Sequence, residues 1–149
     1  MPKPVQVLPL PDPRRADDAR IWTNVLADVP LFAGLNSRHL KKVASLAKIR
    51  RFHEGATLMH AGDPGDAMYV ILDGKVSVRP PGKRNVSVGI GGFVGELSLL
   101  DDGPRSATVV AAEPSVTLSI TRASFCKLMR TEPSIALAVS EELARRLRS

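Results

Sequence analysis

The sequence has little cysteine and no long apolar run. Cys126 is the only cysteine among 149 residues, which excludes an intramolecular disulfide framework. No apolar stretch reaches the length of a signal-peptide core or of a membrane-spanning helix. We therefore expect a protein of the reducing cytoplasm that has no membrane partner.

Residue groupings that would indicate catalysis are also missing. His39, His53 and His60 have neither the clustered spacing nor the acidic partners of a metal site. Ser98 lies outside any Gly-x-Ser-x-Gly motif, and Cys126 lies in a predicted helix, where a small packed thiol is expected. The glycines that precede residue 96 do not fit Gly-x-Gly-x-x-Gly. The sequence therefore predicts neither an enzyme, nor a metal site, nor a bound cofactor.

Positive charge is in excess. The chain has 21 Lys and Arg against 15 Asp and Glu, a formal net charge of +6, which is compatible with a nucleic-acid or membrane-surface partner. The cations are dispersed along the chain, and this favours a solvated basic surface as the interpretation. Because no helix-turn-helix follows the last predicted helix, we expect no direct DNA binding.

The length and the 44% hydrophobic content are sufficient for one sizeable core, so we expect a single domain. Residues 1–20 are rich in proline, which predicts a disordered or loosely packed arm. The domain itself should span residues 21–149 and begin with a helical segment, 21–47. Within this segment Ser37 is a good N-cap for a short amphipathic helix with apolar positions at helical spacing.

From residue 48 to residue 120 the apolar period changes to two. Short candidate strands alternate with turn residues, and Asp73-Gly74 is a hairpin signal. Strands of this length and spacing predict a mainly β fold with flanking helices, in the form of a β-roll or sandwich. The clearest candidates are residues 57–60, 68–72, 75–79, 84–88, 107–111 and 116–120.

Residues 121–149 return to helical spacing. Thr121 can cap a first helix, and Pro133 can occupy the first position of a second one. The second helix has an apolar stripe, for which two interpretations stay open: a helix that responds to a ligand, or a cover over the end of the roll. The stripe consists of Ile135, Val139, Leu143 and Leu147.

The most informative segment runs from residue 93 to residue 107. Gly95 allows close approach of the backbone to a ligand, and a short helix after it would point the N–H groups of Leu97 and Ser98 at an anion. Arg105 adds a charge-assisted donor, whereas Glu96 accepts hydrogen bonds only and suits a sugar hydroxyl. This pattern predicts a nucleotide site. The alternative is a surface ion pair between Glu96 and Arg105 that needs no ligand.

This segment resembles the phosphate-binding cassette of the cyclic nucleotide-binding domain family, which includes the bacterial catabolite activator protein and the regulatory subunits of protein kinase A. Residues 30–35, 53–58, 61–66 and 68–76 resemble further motifs of the family in the same order. The resemblance implies a β-roll that binds a cyclic nucleotide. It also implies contacts to ribose and phosphate from Gly95, Glu96, Leu97 and Ser98, a cyclic phosphate paired with Arg105, and Ser106 and Ala107 on the same face.

The nucleotide itself is less well determined. In some members of the family a hydroxyl after the cassette arginine, here Ser106, bonds the amino group of guanine, whereas bacterial cyclic AMP receptors share the Arg-Ser-Ala sequence. The alanine- and arginine-rich composition is typical of bacteria and favours cyclic AMP over cyclic GMP. The segment before the cassette, residues 88–93, is shorter and richer in glycine than is usual in the family. We expect a sensor or regulatory module, with a second copy or an effector protein as partner; the alternative is a scaffold that has lost the ligand.

Overall fold

A computed structural model describes residues 16–148 of the chain, with side chains from Arg20 onward. Helices lie at both ends of this range and strands lie between them. The helices are α1 (Ala16–Ala27), α2 (Ser37–Ala44), α3 (Arg122–Thr131) and α4 (Pro133–Arg148), with short 3-10 helices at Pro30–Phe32 and Glu96–Leu99. The strands are β1 (Lys48–Phe52), β2 (Thr57–Met59), β3 (Ala67–Asp73), β4 (Val76–Arg79), β5 (Val86–Val88), β6 (Phe93–Val94), β7 (Thr108–Ala111) and β8 (Ser115–Thr121).

The strands form two antiparallel sheets of four. One sheet has the order β1-β8-β3-β6 and the other has the order β2-β7-β4-β5. This arrangement confirms the predicted mainly β fold with flanking helices. All six candidate strands are present, with ends that differ by a residue or two, whereas β1 and β6 were not identified individually.

The predicted hairpin at Asp73-Gly74 is wrong. The turn joins β3 to β4, and these two strands belong to different sheets. Strand β3 has β8 on one edge and β6 on the other, so that no edge is left for β4. Gly74, with φ 90°, lets the chain pass from one sheet to the other, and Ser115 Oγ accepts a hydrogen bond from the Lys75 amide at 3.1 Å. The signal identified a tight turn correctly but not the pairing of its strands.

Two apolar clusters stabilise the fold, one on each face of the sheet that contains β3. Between the sheets lie buried side chains such as Tyr69, Ile71 and Val109. On the outer face, Met68 and Val70 pack with residues of all four α-helices. Because successive residues of β3 point to opposite faces, this one strand contributes to both clusters. The strand therefore joins the roll to the helical layer.

The N-terminal helices begin at other residues than we predicted. Helix α1 starts at Ala16, within the segment predicted to be an irregular arm. Residues 1–15 lie outside the described residues, so the rest of that prediction is untested. The N-cap of α2 is Asn36, whose side chain accepts from the His39 amide at 2.9 Å, and Ser37 is already helical. Both Asn and Ser are good caps, and the sequence pattern did not distinguish two adjacent ones.

The C-terminal helices follow the prediction closely. Thr121 caps α3 by accepting from the Ser124 amide at 3.2 Å, and Pro133 is the first residue of α4. Ile135 and Val139 are buried in the outer cluster, but Leu147 is 87% exposed, so its assignment to the buried stripe is wrong. Helix α4 packs against α3 and the 3-10 helix Pro30–Phe32. Within residues 16–148, no helix has the length and apolar content needed to cross a bilayer.

Candidate nucleotide-binding site

Gly95 lies at the end of β6 in a backbone conformation that requires glycine. Its φ of 77° and ψ of 20° are left-handed, and it caps the 3-10 helix Glu96–Leu99. A Cβ at this position would lie 2.8 Å from the carbonyl oxygen of Ala67 and closer still to Nη1 of Arg105. Both the dihedral angles and the space therefore exclude a side chain here.

The turn after Gly95 differs from the predicted one in its hydrogen bonds. Ser98 donates its backbone N–H to the Gly95 carbonyl at 3.1 Å, as the i→i+3 pattern of a 3-10 helix requires. The prediction that the Ser98 amide points freely at an anion is therefore wrong. The Leu97 amide, one position earlier, remains the predicted donor, and the Leu97 side chain is exposed.

Arg105 is a buried cation, 8% exposed, at the centre of the segment. Its Nη1 donates to Ser98 Oγ at 2.6 Å, and its Nη2 donates to the Ala67 carbonyl at 2.8 Å and to Asp66 Oδ1 at 3.2 Å. These three bonds use fewer than the five donors of a guanidinium, so capacity for a phosphate remains. Arg105 pairs with Asp66 rather than with Glu96, and the alternative of a Glu96–Arg105 surface ion pair is not what the structure contains.

Backbone hydrogen bonds to the loop before β3 fix the main chain of Arg105. Its amide donates to the Asp63 carbonyl at 2.7 Å, and its carbonyl accepts from the Gly62 amide at 2.9 Å. Gly65 donates to the Gly103 carbonyl at 3.1 Å, which ties the two loops together once more. The guanidinium is therefore positioned by the loop before β3 as well as by its own loop.

Glu96 is half-buried at the start of the 3-10 helix that follows Gly95. Its Oε2 atom is buried and has no hydrogen-bond partner among the described residues. Burial raises the pKa of Glu96, and the guanidinium of Arg146 on α4 partly opposes that shift. A buried acceptor without a donor is costly for the folded protein. It fits a ligand that brings its own donor, such as a hydroxyl group.

The remaining predicted site residues, Ser106 and Ala107, lie just before β7. Ser106 is exposed, whereas Ala107 is buried beside the strand. The structure therefore brings Gly95, Ser98 and Arg105 into contact and places Glu96 next to them in the chain. It joins neither Ser106 nor Ala107 to the guanidinium by a hydrogen bond. The ligand contacts assigned to these residues remain predictions.

The sequence analysis missed three contributors to the site. Asp66 and the Ala67 carbonyl both bind Arg105, and Arg146 acts on Glu96 from a distant helix. Asp66 ends the motif at residues 61–66, which carries no ligand contact in the resemblance. The part of the chain that the structure describes has no group of three or more side chains suited to a metal ion.

Comparison with known proteins identifies the family. The family profile described as "Cyclic nucleotide-binding domain" matches residues 49–132, more than half of the chain. The chain belongs to this family. Apart from Lys48, the matched range contains both sheets, and it also contains the whole cassette and α3. Cyclic nucleotide binding and a regulatory role are the properties that the family shares.

Individual relatives differ in what surrounds the domain. A cyclic nucleotide-gated potassium channel of Mesorhizobium japonicum is 39% identical over 83% of the chain and 34% of its own length. The cyclic AMP receptor protein of Thermus thermophilus is 36% identical over 80% of the chain and 57% of its own length. The solved N-terminal domain of a transcriptional regulator from Streptomyces coelicolor superposes with a TM-score of 0.74 at 36% identity, covering 83% of this chain and 92% of that one. The chain thus spans about a third to somewhat over half of these two curated relatives.

Proposed function

We propose that this cyclic nucleotide-binding domain is a sensor that binds cyclic AMP in preference to cyclic GMP and couples the ligand to the position of α4. The observation that carries the proposal is the buried Arg105 guanidinium. Its carboxylate partner, Asp66, is 87% exposed at the side chain, so this ion pair is weak and easily exchanged for a phosphate. A buried cation that is held mainly by neutral acceptors is well suited to an anionic ligand.

Glu96 supports the sugar half of the proposal. Its buried Oε2 gains a donor from a ribose hydroxyl, and that hydroxyl cannot be replaced by a phosphate, which the carboxylate would repel. The cassette therefore offers an acceptor and a cation within one short segment, residues 96–105. This is the combination that a cyclic nucleotide requires.

Two relatives favour cyclic AMP as the ligand. The Thermus protein is named a cyclic AMP receptor, and a regulatory subunit of Hypocrea atroviridis, 29% identical, is named for a cyclic AMP-dependent kinase. The exposed Ser106 next to Arg105 leaves cyclic GMP as the second ligand. A scaffold without this ligand is the alternative function. It is favoured by a solved trypanosome regulatory subunit, 25% identical with a TM-score of 0.66, whose kinase is described as cyclic AMP-independent.

A path of contacts supports coupling to α4. Leu99, at the end of the cassette helix, is fully buried, and its carbonyl lies 3.8 Å from the Cys126 Sγ on α3. On the same helix, the Phe125 ring packs against the Phe32 ring, with 5.8 Å between the two ring centroids. Helix α4 follows α3 directly and packs on it. A shift of the cassette therefore reaches α4 through α3, and the ligand biases α4 by its differential affinity for two placements.

In this proposal the protein is not an enzyme, and it acts in the cytoplasm through a second copy of itself or an effector protein. Calorimetric titration with both nucleotides tests it, with phosphorus NMR of the recovered ligand as the check on turnover. We expect saturable binding of one ligand per chain, tighter for cyclic AMP, with the nucleotide recovered intact. Absence of binding to both would favour the scaffold, and ligand hydrolysis would contradict the non-enzymatic role.

A further inference from the structure

One carboxylate lies at the joint between α3 and α4. Glu132 is the residue between these helices, and its Oε1 contacts two cations of α2: Lys42 Nζ in a close ion pair, and Arg38 Nη2 at 3.5 Å. The Glu132 carbonyl also accepts from the Ile135 amide at 3.0 Å in the first turn of α4. The two cations of α2 therefore bind the residue that joins α3 to α4.

A second contact lies on the same side of α2. The His39 ring is buried, 8% exposed, and its Nε2 lies 3.0 Å from Ser134 Oγ in the first turn of α4. Its Nδ1 has no hydrogen-bond partner among the described residues, so Ser134 is the polar contact that fixes the ring. One face of α2 thus binds both the joint and the beginning of α4.

The same joint lies on the path of contacts from the nucleotide site. The Sγ of Cys126 on α3 lies 3.8 Å from the carbonyl of Leu99, at the end of the cassette helix. Helix α3 ends at Thr131, next to Glu132, so a displacement of α3 by the cassette also displaces the carboxylate that α2 binds. The contacts of α2 with Glu132 and Ser134 therefore resist a movement of α4 to another placement.

We infer that the contacts of Glu132 with Lys42 and Arg38, together with His39–Ser134, form a latch that holds α4 in this placement and couples α2 to nucleotide binding. This inference rests on the proposed function, since the coupling concerns its ligand. The latch raises the free energy needed to move α4. By reciprocity, a bound nucleotide changes the stability of the latch by the same free energy by which the latch changes nucleotide binding.

Hydrogen exchange on the full chain without ligand tests the latch directly. Glu132→Gln and Lys42→Met each remove one side of the ion pair, and each should accelerate amide exchange in residues 137–143 by about three- to fivefold, as expected for a partly exposed charge network. The matched controls are Glu141→Gln on α4 and Lys41→Met on α2, both exposed and outside the ion pairs of the described residues. Exchange equal to that of the controls would overturn the latch.

Titration with cyclic AMP tests the coupling to binding. Glu132→Gln makes the chain more positive and Lys42→Met makes it less positive, so general attraction of an anion would move the two affinities in opposite directions. Release of a latch changes both affinities in the same direction, by roughly two- to fivefold. Opposite changes, or unchanged affinity with faster exchange, would overturn the regulatory role. If the unaltered chain binds no cyclic nucleotide, the proposed function fails, and exchange alone decides whether the latch holds α4.

Discussion

Arg105→Ala should destabilise the protein itself, apart from any effect on a ligand. The side chain connects the cassette at Ser98 to the start of β3 at Ala67 and Asp66. Ser98 and Ala67 are buried, so their acceptors lose a donor that water does not easily replace. Asp66 is exposed and is solvated when the ion pair is lost.

The expected loss follows from these two buried acceptors. A buried polar group left without a partner costs about 1–3 kcal/mol, and the Ser98 hydroxyl recovers part of this by rotating. We therefore expect the free energy of unfolding to fall by roughly 2–4 kcal/mol, with about another 0–1 kcal/mol from the exposed ion pair. For a chain of this size, that corresponds to a thermal midpoint lower by roughly 5–15 °C.

Urea denaturation without ligand, followed by circular dichroism, measures this loss. Arg79→Ala is the matched control, because Arg79 is an exposed arginine at the end of β4. Among the residues that the structure describes, its guanidinium makes one hydrogen bond, to Ser77 Oγ at 3.4 Å. The control should change stability by less than about 0.5 kcal/mol. Equal stability of Arg105→Ala and the control would refute the structural role. At temperatures where the variant is folded, Arg105→Ala should also bind cyclic AMP about 2–5 kcal/mol more weakly. This is the loss expected when Arg105 is removed from a buried charge pair with the cyclic phosphate.

Three further predictions concern Glu96 and α4. The unaltered chain should bind 2′-deoxy cyclic AMP about 1.5–3 kcal/mol more weakly than cyclic AMP, and Glu96→Gln should reduce this gap; an unchanged gap in competition binding would remove Glu96 from the ribose contact. Because burial raises the pKa of folded Glu96, its contribution to stability is fully present below its unfolded pKa and is lost as pH rises through the folded value. Glu96→Gln should therefore raise the thermal midpoint at neutral pH and lose this benefit near about pH 3.5, and a benefit independent of pH would contradict the assignment. Val139→Ala, at a buried position, should cost about 2 kcal/mol in urea denaturation, whereas Leu147→Ala should cost less than about 0.5 kcal/mol; equal costs would contradict the packing of α4.

The fold was largely predictable because its local signals agree with its tertiary structure. The strand candidates alternate with period two, and Thr121 and Pro133 mark the starts of α3 and α4 by local chemistry. The errors occur where local chemistry allows two answers. Asp73-Gly74 forms a tight turn whether or not its strands pair, and the pairing depends on the edges of β3, which are set by distant residues.

The site was predictable in part for the same reason. Gly95 has a backbone requirement that is visible in sequence, and Arg105 and Glu96 differ in charge in the way that phosphate and ribose differ. Asp66 and Arg146 were not predictable, because they reach the site from other elements through tertiary packing. The Ser98 amide was misjudged because a 3-10 turn uses an N–H that the first turn of an α-helix leaves free.

The central claim is that the segment from Gly95 to Arg105 holds a cyclic nucleotide through Arg105 and Glu96. An NMR titration of the isotopically labelled chain with cyclic AMP tests it most directly, since it reports the backbone amides of the cassette and the Arg105 guanidinium separately. The account predicts saturable shifts at Gly95, Glu96 and Leu97 and at the Arg105 Nε–H, all with one dissociation constant. Binding that shifts residues elsewhere and leaves the Arg105 signal unchanged would contradict it.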